Sequence, residues 1–247
     1  MTERQEIPVT EGESVVAVHH PASGSDRWFV CCHGFVSDRT GSYEGRCERA
    51  VAEGYHAVRF DSRGCGESDG RFPAATLSAR IADLRAVLDR FDPAAESAVL
   101  FGSSFGGKTA LHAAAGDGPG GDGTPDERVR AVATRAPVTY GRAFDPLADT
   151  VRARDGVEYA PGHSVDERLV DDLDGYDFVD VADALDLPVA VFHGRDDGSV
   201  PLADSLDAVR ALDVDTAVHA VADEGHRFSN DAEAWMRDAL FGWLARR

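Results

Sequence analysis

Short apolar runs alternate with stretches of helical spacing along almost the whole chain, and this alternation limits the fold more than any other feature. Ser14–His19, Trp28–Cys32, Ala57–Phe60, Ala98–Phe101, Val129–Thr134, Val189–Phe192 and Thr216–Val221 read as strands. Between them, Ser42–Glu53, Thr109–Ala115, Leu202–Leu212 and Ala232–Leu244 have helical spacing, and Leu77, Ile81, Leu84, Leu88 and Phe91 form one apolar stripe. The first two strands are separated only by His20–Arg27, which suggests an antiparallel pair. The order after that is strand, helix, strand, helix. It predicts an α/β fold with a mostly parallel sheet covered on both faces.

Two segments break the rhythm. Gly116–Glu127 has no apolar pattern and reads as a flexible surface loop. Pro137–Pro188 is longer than a crossover needs, and residues 140–190 hold 13 acidic against 4 basic residues. The expectation is one domain spanning 1–247. It would carry a small acidic insertion at about 138–187 over the sheet edge, helical around Asp166–Leu173 and Val179–Leu185.

Composition excludes several classes. The chain has 247 residues and a net charge of −19, which disfavours nucleic-acid binding by counterion release. No apolar run approaches the ~20 residues of a membrane span. Met1–Glu13 is polar and acidic, unlike a signal peptide. Cys31, Cys32, Cys47 and Cys65 have neither a disulfide framework nor metal-ligand spacing, so reduced thiols and a cytoplasmic location are expected. The charged residues are 30 Asp, 14 Glu, 24 Arg and a single lysine, Lys108. That balance resembles proteins of extreme halophiles, in which molar salt screens the repulsion between surface carboxylates.

The chemistry centres on Ala98–Leu111, where Gly102-x-Ser104-x-Gly106 lies between a strand and a helix. That is the setting of a nucleophile elbow: small flanking residues allow the tight turn, and the helix N-terminus faces a developing oxyanion. The same stretch matches a P-loop as Gly102-x-x-x-x-Gly107-Lys108-Thr109, which would make the chain a nucleotide binder. A P-loop protein needs a later strand ending in an aspartate for Mg²⁺, and Val189–Phe192 is followed by His-Gly-Arg before Asp196. Upstream, Phe29–Phe35 ends in His33-Gly34-Phe35, where the N–H of Phe35 can join that of Phe105 in an oxyanion hole. In the Gly-punctuated turn Val58–Ser68, Asp61 and Arg63 read as loop braces. A serine nucleophile needs a base and an orienting carboxylate. His193–Pro201 offers Asp196 and Asp197, and Glu224-Gly-His226 follows the last strand. The order Ser104, Asp, His226 is that of α/β-hydrolases.

The motifs HGF at 33–35, FDSRGCGESDG at 60–70, GSSFGG at 102–107, HGRDDGSVP at 193–201 and EGH at 224–226 together resemble the α/β-hydrolase superfamily over nearly the whole chain. Within it, the chain is most similar to cinnamoyl/feruloyl esterase-like and serine aminopeptidase-like hydrolases. The resemblance implies Ser104 as nucleophile, Asp197 rather than Asp196 as acid, His226 as base, and Phe35 and Phe105 as oxyanion donors. Many relatives carry His where Ser103 stands. A serine at the elbow separates the chain from the dehalogenase and epoxide-hydrolase branches, which use a carboxylate. The implied activity is hydrolysis of a small-molecule carboxylic ester through an acyl-enzyme, without metal or organic cofactor. The competing readings are a peptidase on the same residues, a non-catalytic binder of this fold, and the P-loop nucleotide binder.

Overall fold

The computed structural model describes residues 1–94, 96–118 and 120–247. Its main sheet has eight strands: β1 (Glu3–Thr10), β2 (Glu13–His20), β3 (Trp28–Cys32), β4 (His56–Phe60), β5 (Ala98–Ser103), β6 (Val129–Arg135), β9 (Val189–Gly194) and β10 (Thr216–Val221). The spatial order is β1-β2-β4-β3-β5-β6-β9-β10. β1 and β2 pair antiparallel, β2 joins β4 antiparallel, and every later pairing is parallel. This is the α/β-hydrolase arrangement, with helices α1 (Ser42–Ala52), α2 (Leu77–Phe91), α3 (Phe105–Ala114), α7 (Leu202–Ala211) and α8 (Asn230–Leu244) between and after the strands.

Two details differ from the sequence reading. β2 and β3 do not pair; β4 lies between them, because the chain returns through α1 and inserts β4 beside β3 in parallel. The N-terminal strand β1 had no apolar signal, since it is an edge strand with only Ile7 buried.

The core lies on both faces of the sheet. Along β3, Phe29 and Cys31 pack on one side with Cys47 and Ala50 of α1 and Met236, Leu240 and Phe241 of α8. Val30 and Cys32 face the other side, with Leu77, Ile81, Leu84 and Leu88 of α2. Successive strand residues point to opposite faces, so a strand buried on both sides must be apolar throughout.

The segment between β6 and β9 connects two neighbouring parallel strands, the sixth and seventh in the sheet order. It holds α4 (Asp145–Arg154), the antiparallel hairpin β7 (Val157–Ala160) and β8 (His163–Val165), α5 (Glu167–Leu173) and α6 (Phe178–Ala184). The two helices expected near 166–173 and 179–185 are present, while α4 and the hairpin carried too few apolar residues to be read. Val151, Val165, Leu169, Phe178 and Val181 join the same core as α2 and α3. The Gly116–Glu127 stretch forms turns without helix or strand, with position 119 outside the described residues.

Candidate active site

β5 ends in Ser103, and Ser104 follows with φ 54° and ψ −120°, a conformation that non-glycine residues rarely adopt. The turn is possible because its flanks lack side chains. A Cβ on Gly102 would lie 2.2 Å from the carbonyl oxygen of Gly106, and one on Gly106 would lie 2.2 Å from that of Cys32. Ser104 is the N-cap residue of α3 but its hydroxyl caps no helix N–H. The strained turn therefore presents the side chain instead of using it. Phe105 opens α3, so its N–H has no acceptor within the helix.

The loop after β3 runs beside this turn. A Cβ on Gly34 would come within 3.7 Å of Ser104 Cβ, and the rings of Phe35 and Phe105 lie 5.3 Å apart. This loop is braced in two ways that sequence reasoning missed. Arg80 of α2 is buried and donates to the carbonyls of Phe35 (2.8 Å), Gly34 and His33 (3.4 Å each). His33 accepts the N–H of Ser62 at Nε2 (3.0 Å), so its Nδ1 carries the proton toward the Gly34 carbonyl (2.8 Å). Burial, aided by the charge of Arg80, pushes the His33 pKa down to about 3 and keeps the ring in this neutral tautomer. The signal for Arg80 was its spacing, one helical turn from both Leu77 and Leu84 on the buried stripe.

Asp197 follows β9, and its Oδ2 lies 2.8 Å from Nδ1 of His226, in the loop between β10 and α8. The Asp197 side chain has no exposure, whereas that of His226 keeps 24%. The carboxylate is thus dry and the imidazole reachable. Burial opposes the Asp197 charge, but hydrogen bonds from His193, His226 and the N–H groups of Val200 and Ser199 outweigh it and hold the pKa far below the carboxylate range. Asp196 is exposed, and its N–H donates to the Glu224 carbonyl. Of the two adjacent aspartates, Asp197 is the one paired with His226. His193, on β9, is a second partner of Asp197 at 3.2 Å. Its i, i+4 spacing to Asp197 was visible, but its role was not inferred. Among the described residues the Ser104 hydroxyl makes no hydrogen bond, so it is not hydrogen-bonded to His226. Such contacts are often open before substrate binds.

Lys108 does not reach toward a ligand. It is 1% exposed, and its Nζ donates to the backbone carbonyls of Tyr176 (3.1 Å) and Thr139 (3.4 Å). With its only amine spent on main-chain carbonyls, the P-loop reading has no phosphate-binding lysine. Asp61 accepts the N–H groups of Arg39 (2.7 Å) and Glu67 (2.9 Å) and pairs with the Arg39 guanidinium. Arg63 pairs with Asp83 at 2.7 Å. Both residues brace the turn after β4. Among the described residues no group of His, Cys, Asp and Glu is arranged to hold a metal, and no helix is long and apolar enough to cross a membrane.

Known proteins share this fold. Est1E from Butyrivibrio proteoclasticus, solved with ferulic acid, superposes with a TM-score of 0.83 at 19% identity, covering 98% of each chain. The mouse alpha/beta hydrolase domain-containing protein 10 gives 0.79 at 19%, covering 99% of each. These likenesses bear on the fold. In sequence, the quorum-quenching protein AidA of Acinetobacter baumannii (strain MDR-ZJ06) is 34% identical over 120 residues, 45% of this chain and 36% of that protein. The match thus spans about a third of that relative's length. The family model described as serine aminopeptidase, S33 matches residues 24–149, just over half of the chain. With the hydrolase fold, the elbow at Ser104 and a family match across β3 to α4, the chain belongs to the S33 serine aminopeptidase-like family of α/β-hydrolases.

Proposed function

We propose that this enzyme hydrolyses carboxylic esters through an acyl-enzyme on Ser104. The observation that carries the reading is the buried Asp197 carboxylate on His226 Nδ1 at 2.8 Å, on loops after β9 and β10. That bond leaves Nε2 as the basic nitrogen. In the proposed cycle His226 takes the Ser104 proton as the hydroxyl attacks the ester carbonyl. The N–H groups of Phe35 and Phe105 hold the oxyanion, and His226 returns the proton to the leaving alcohol. Water then repeats the sequence on the acyl-enzyme.

The acyl side faces aromatic rings. Phe35 packs on Phe72 (5.0 Å between centroids), Phe105, Phe144 and Tyr159 (5.3 Å each). The ferulic acid bound to Est1E makes aryl carboxylic esters the first substrates to try. The test is labelling with a fluorophosphonate, followed by intact mass and peptide mapping in molar KCl. A single adduct on Ser104, absent from Ser104→Ala, is expected. Folded protein that takes no adduct refutes the acyl-enzyme.

A further inference from the structure

A buried charged cluster sits behind the nucleophile, and the acyl-transfer cycle gives it no role. Arg46 of α1 is fully buried. It donates Nη2 to Oε1 of Glu233 in α8 at 2.6 Å, and Nη1 to the hydroxyl of Ser103 at 3.4 Å. Arg135, at the end of β6, donates Nη1 to the same Glu233 oxygen at 3.3 Å. The carbonyl of Arg135 accepts the N–H of Ser104 at 2.9 Å, and Ser103 and Arg135 face each other in the β5–β6 register. The guanidinium of Arg135 also lies over the ring of Phe228 at 5.7 Å, two residues beyond His226. The cluster therefore touches both the elbow and the loop that carries the base.

Its composition is poorly suited to stability alone. Two guanidinium groups share one carboxylate, leaving one excess positive charge in a chain of net charge −19. Arg46 Nε, Arg135 Nε and Glu233 Oε2 are buried without a partner among the described residues. Unpaired buried polar atoms and buried charge both work against folding, and an apolar replacement is often at least as stable. A cluster of this kind is explained by what it does to the groups it contacts. Here those are Ser103, next to the nucleophile, and Phe228 on the His226 loop, besides the rings of Tyr43 and Phe101, over which the Arg46 guanidinium lies at 4.8 and 4.7 Å.

We propose that Arg46, Glu233 and Arg135 form a positioning and electrostatic device. It fixes the elbow relative to the His226 loop and places a positive charge behind the serine as negative charge develops on the substrate carbonyl. None of the three touches substrate; they act through Ser103, Ser104 and Phe228. The proposal rests on the acyl-enzyme reading above.

The test compares wild type, Arg46→Met and Arg46→Lys in molar KCl with an aryl ester, a fluorophosphonate count of active sites, and thermal melting. Arg46→Met keeps most of the volume and leaves Glu233 with Arg135 as a neutral pair. The expected result is a kcat lower by about 10- to 50-fold with KM within about twofold, a full complement of sites labelled more slowly, and no drop in melting temperature. Arg46→Lys restores the charge and should recover kcat to within about fivefold of wild type. Wild-type kcat in Arg46→Met overturns the proposal, and so does a kcat loss matched by a loss of labelled sites. If Arg46→Met does not fold, Ser103→Ala decides, because it removes the contact to the elbow and leaves the ion pairs. It should lower kcat several-fold at constant KM, and unchanged kcat refutes the device. Wild-type protein that fails to label at Ser104 removes the acyl-enzyme reading itself. Labelling in wild type at the same rate as in Arg46→Met removes only this proposal.

Discussion

At Asp197 a single carboxylate is asked to stay charged without water, and its partners explain how. Two imidazoles and two backbone N–H groups converge on it. The consequence for stability has a definite sign. The folded pKa lies below the unfolded value, so the charged form stabilises the native state above about pH 4, and that contribution fades as pH falls further. Asp197→Asn removes this dependence. Urea melts of wild type and Asp197→Asn should differ most near neutral pH and converge on acidification, and a constant difference would mean the carboxylate is solvated. The same substitution should lower kcat by about 10⁴-fold, because the amide can fix the wrong imidazole tautomer. Residue type alone could not choose between Asp196 and Asp197, since both sit in one short loop. What separates them is the direction each side chain takes after β9, which a sequence does not display. Arg80 was harder still: a buried arginine on an apolar stripe announces an acceptor but does not say which loop supplies it.

At the scale of elements, Lys108 links α3 to two distant points of the segment between β6 and β9. Its amine bonds Thr139, just past β6, and Tyr176, just before α6. Burial pushes its pKa down to about 8, against the attraction of Asp177 and Asp117. The unfolded lysine holds its proton up to about pH 10.4. Between those values the unfolded state binds more protons, so this group makes the protein more stable as pH rises. The stability of wild type minus that of Lys108→Met should therefore climb from about pH 8 to about pH 10 in chemical-denaturation measurements. A flat difference would place the ammonium in water. Strands buried on two faces were legible because they must be apolar at every position: the bounds of β3 match the sequence reading residue for residue. The edge strand β1 and the β7–β8 hairpin were not, because half-exposed strands carry their pairing in backbone groups common to every residue. The order of β2, β4 and β3 was also hidden, since chain proximity favours a hairpin and only packing of α1 reveals the crossover.

For the whole molecule the deciding quantity is the distribution of charge. Exposed pairs such as Arg128–Asp89, Arg152–Asp174 and Arg247–Asp215 are each worth about 0–1 kcal/mol and weaken in salt. Against them stands an excess of 19 negative charges, whose repulsion salt also screens. Exposed pairs that are each weak, set against a large excess of one sign, make the repulsion the larger effect, so salt should stabilise. The excess is uneven. Residues 140–190 hold 13 acidic and 4 basic residues, nearly half of the total imbalance in about a fifth of the chain. That segment supplies Phe144 and Tyr159 to the rings around Phe35. Lowering the salt should thus loosen the covering of the site before it unfolds the sheet. As KCl falls below about 0.5 M, where the Debye length grows past ~4 Å, esterase activity should decline at a higher salt concentration than helicity by circular dichroism. Sodium sulfate and KCl at matched ionic strength separate screening from burial: equal recovery in both assigns the effect to charge, whereas much stronger recovery in sulfate assigns it to apolar packing. Activity that stays flat from dilute buffer to molar KCl would show that the acidic surface carries no salt requirement.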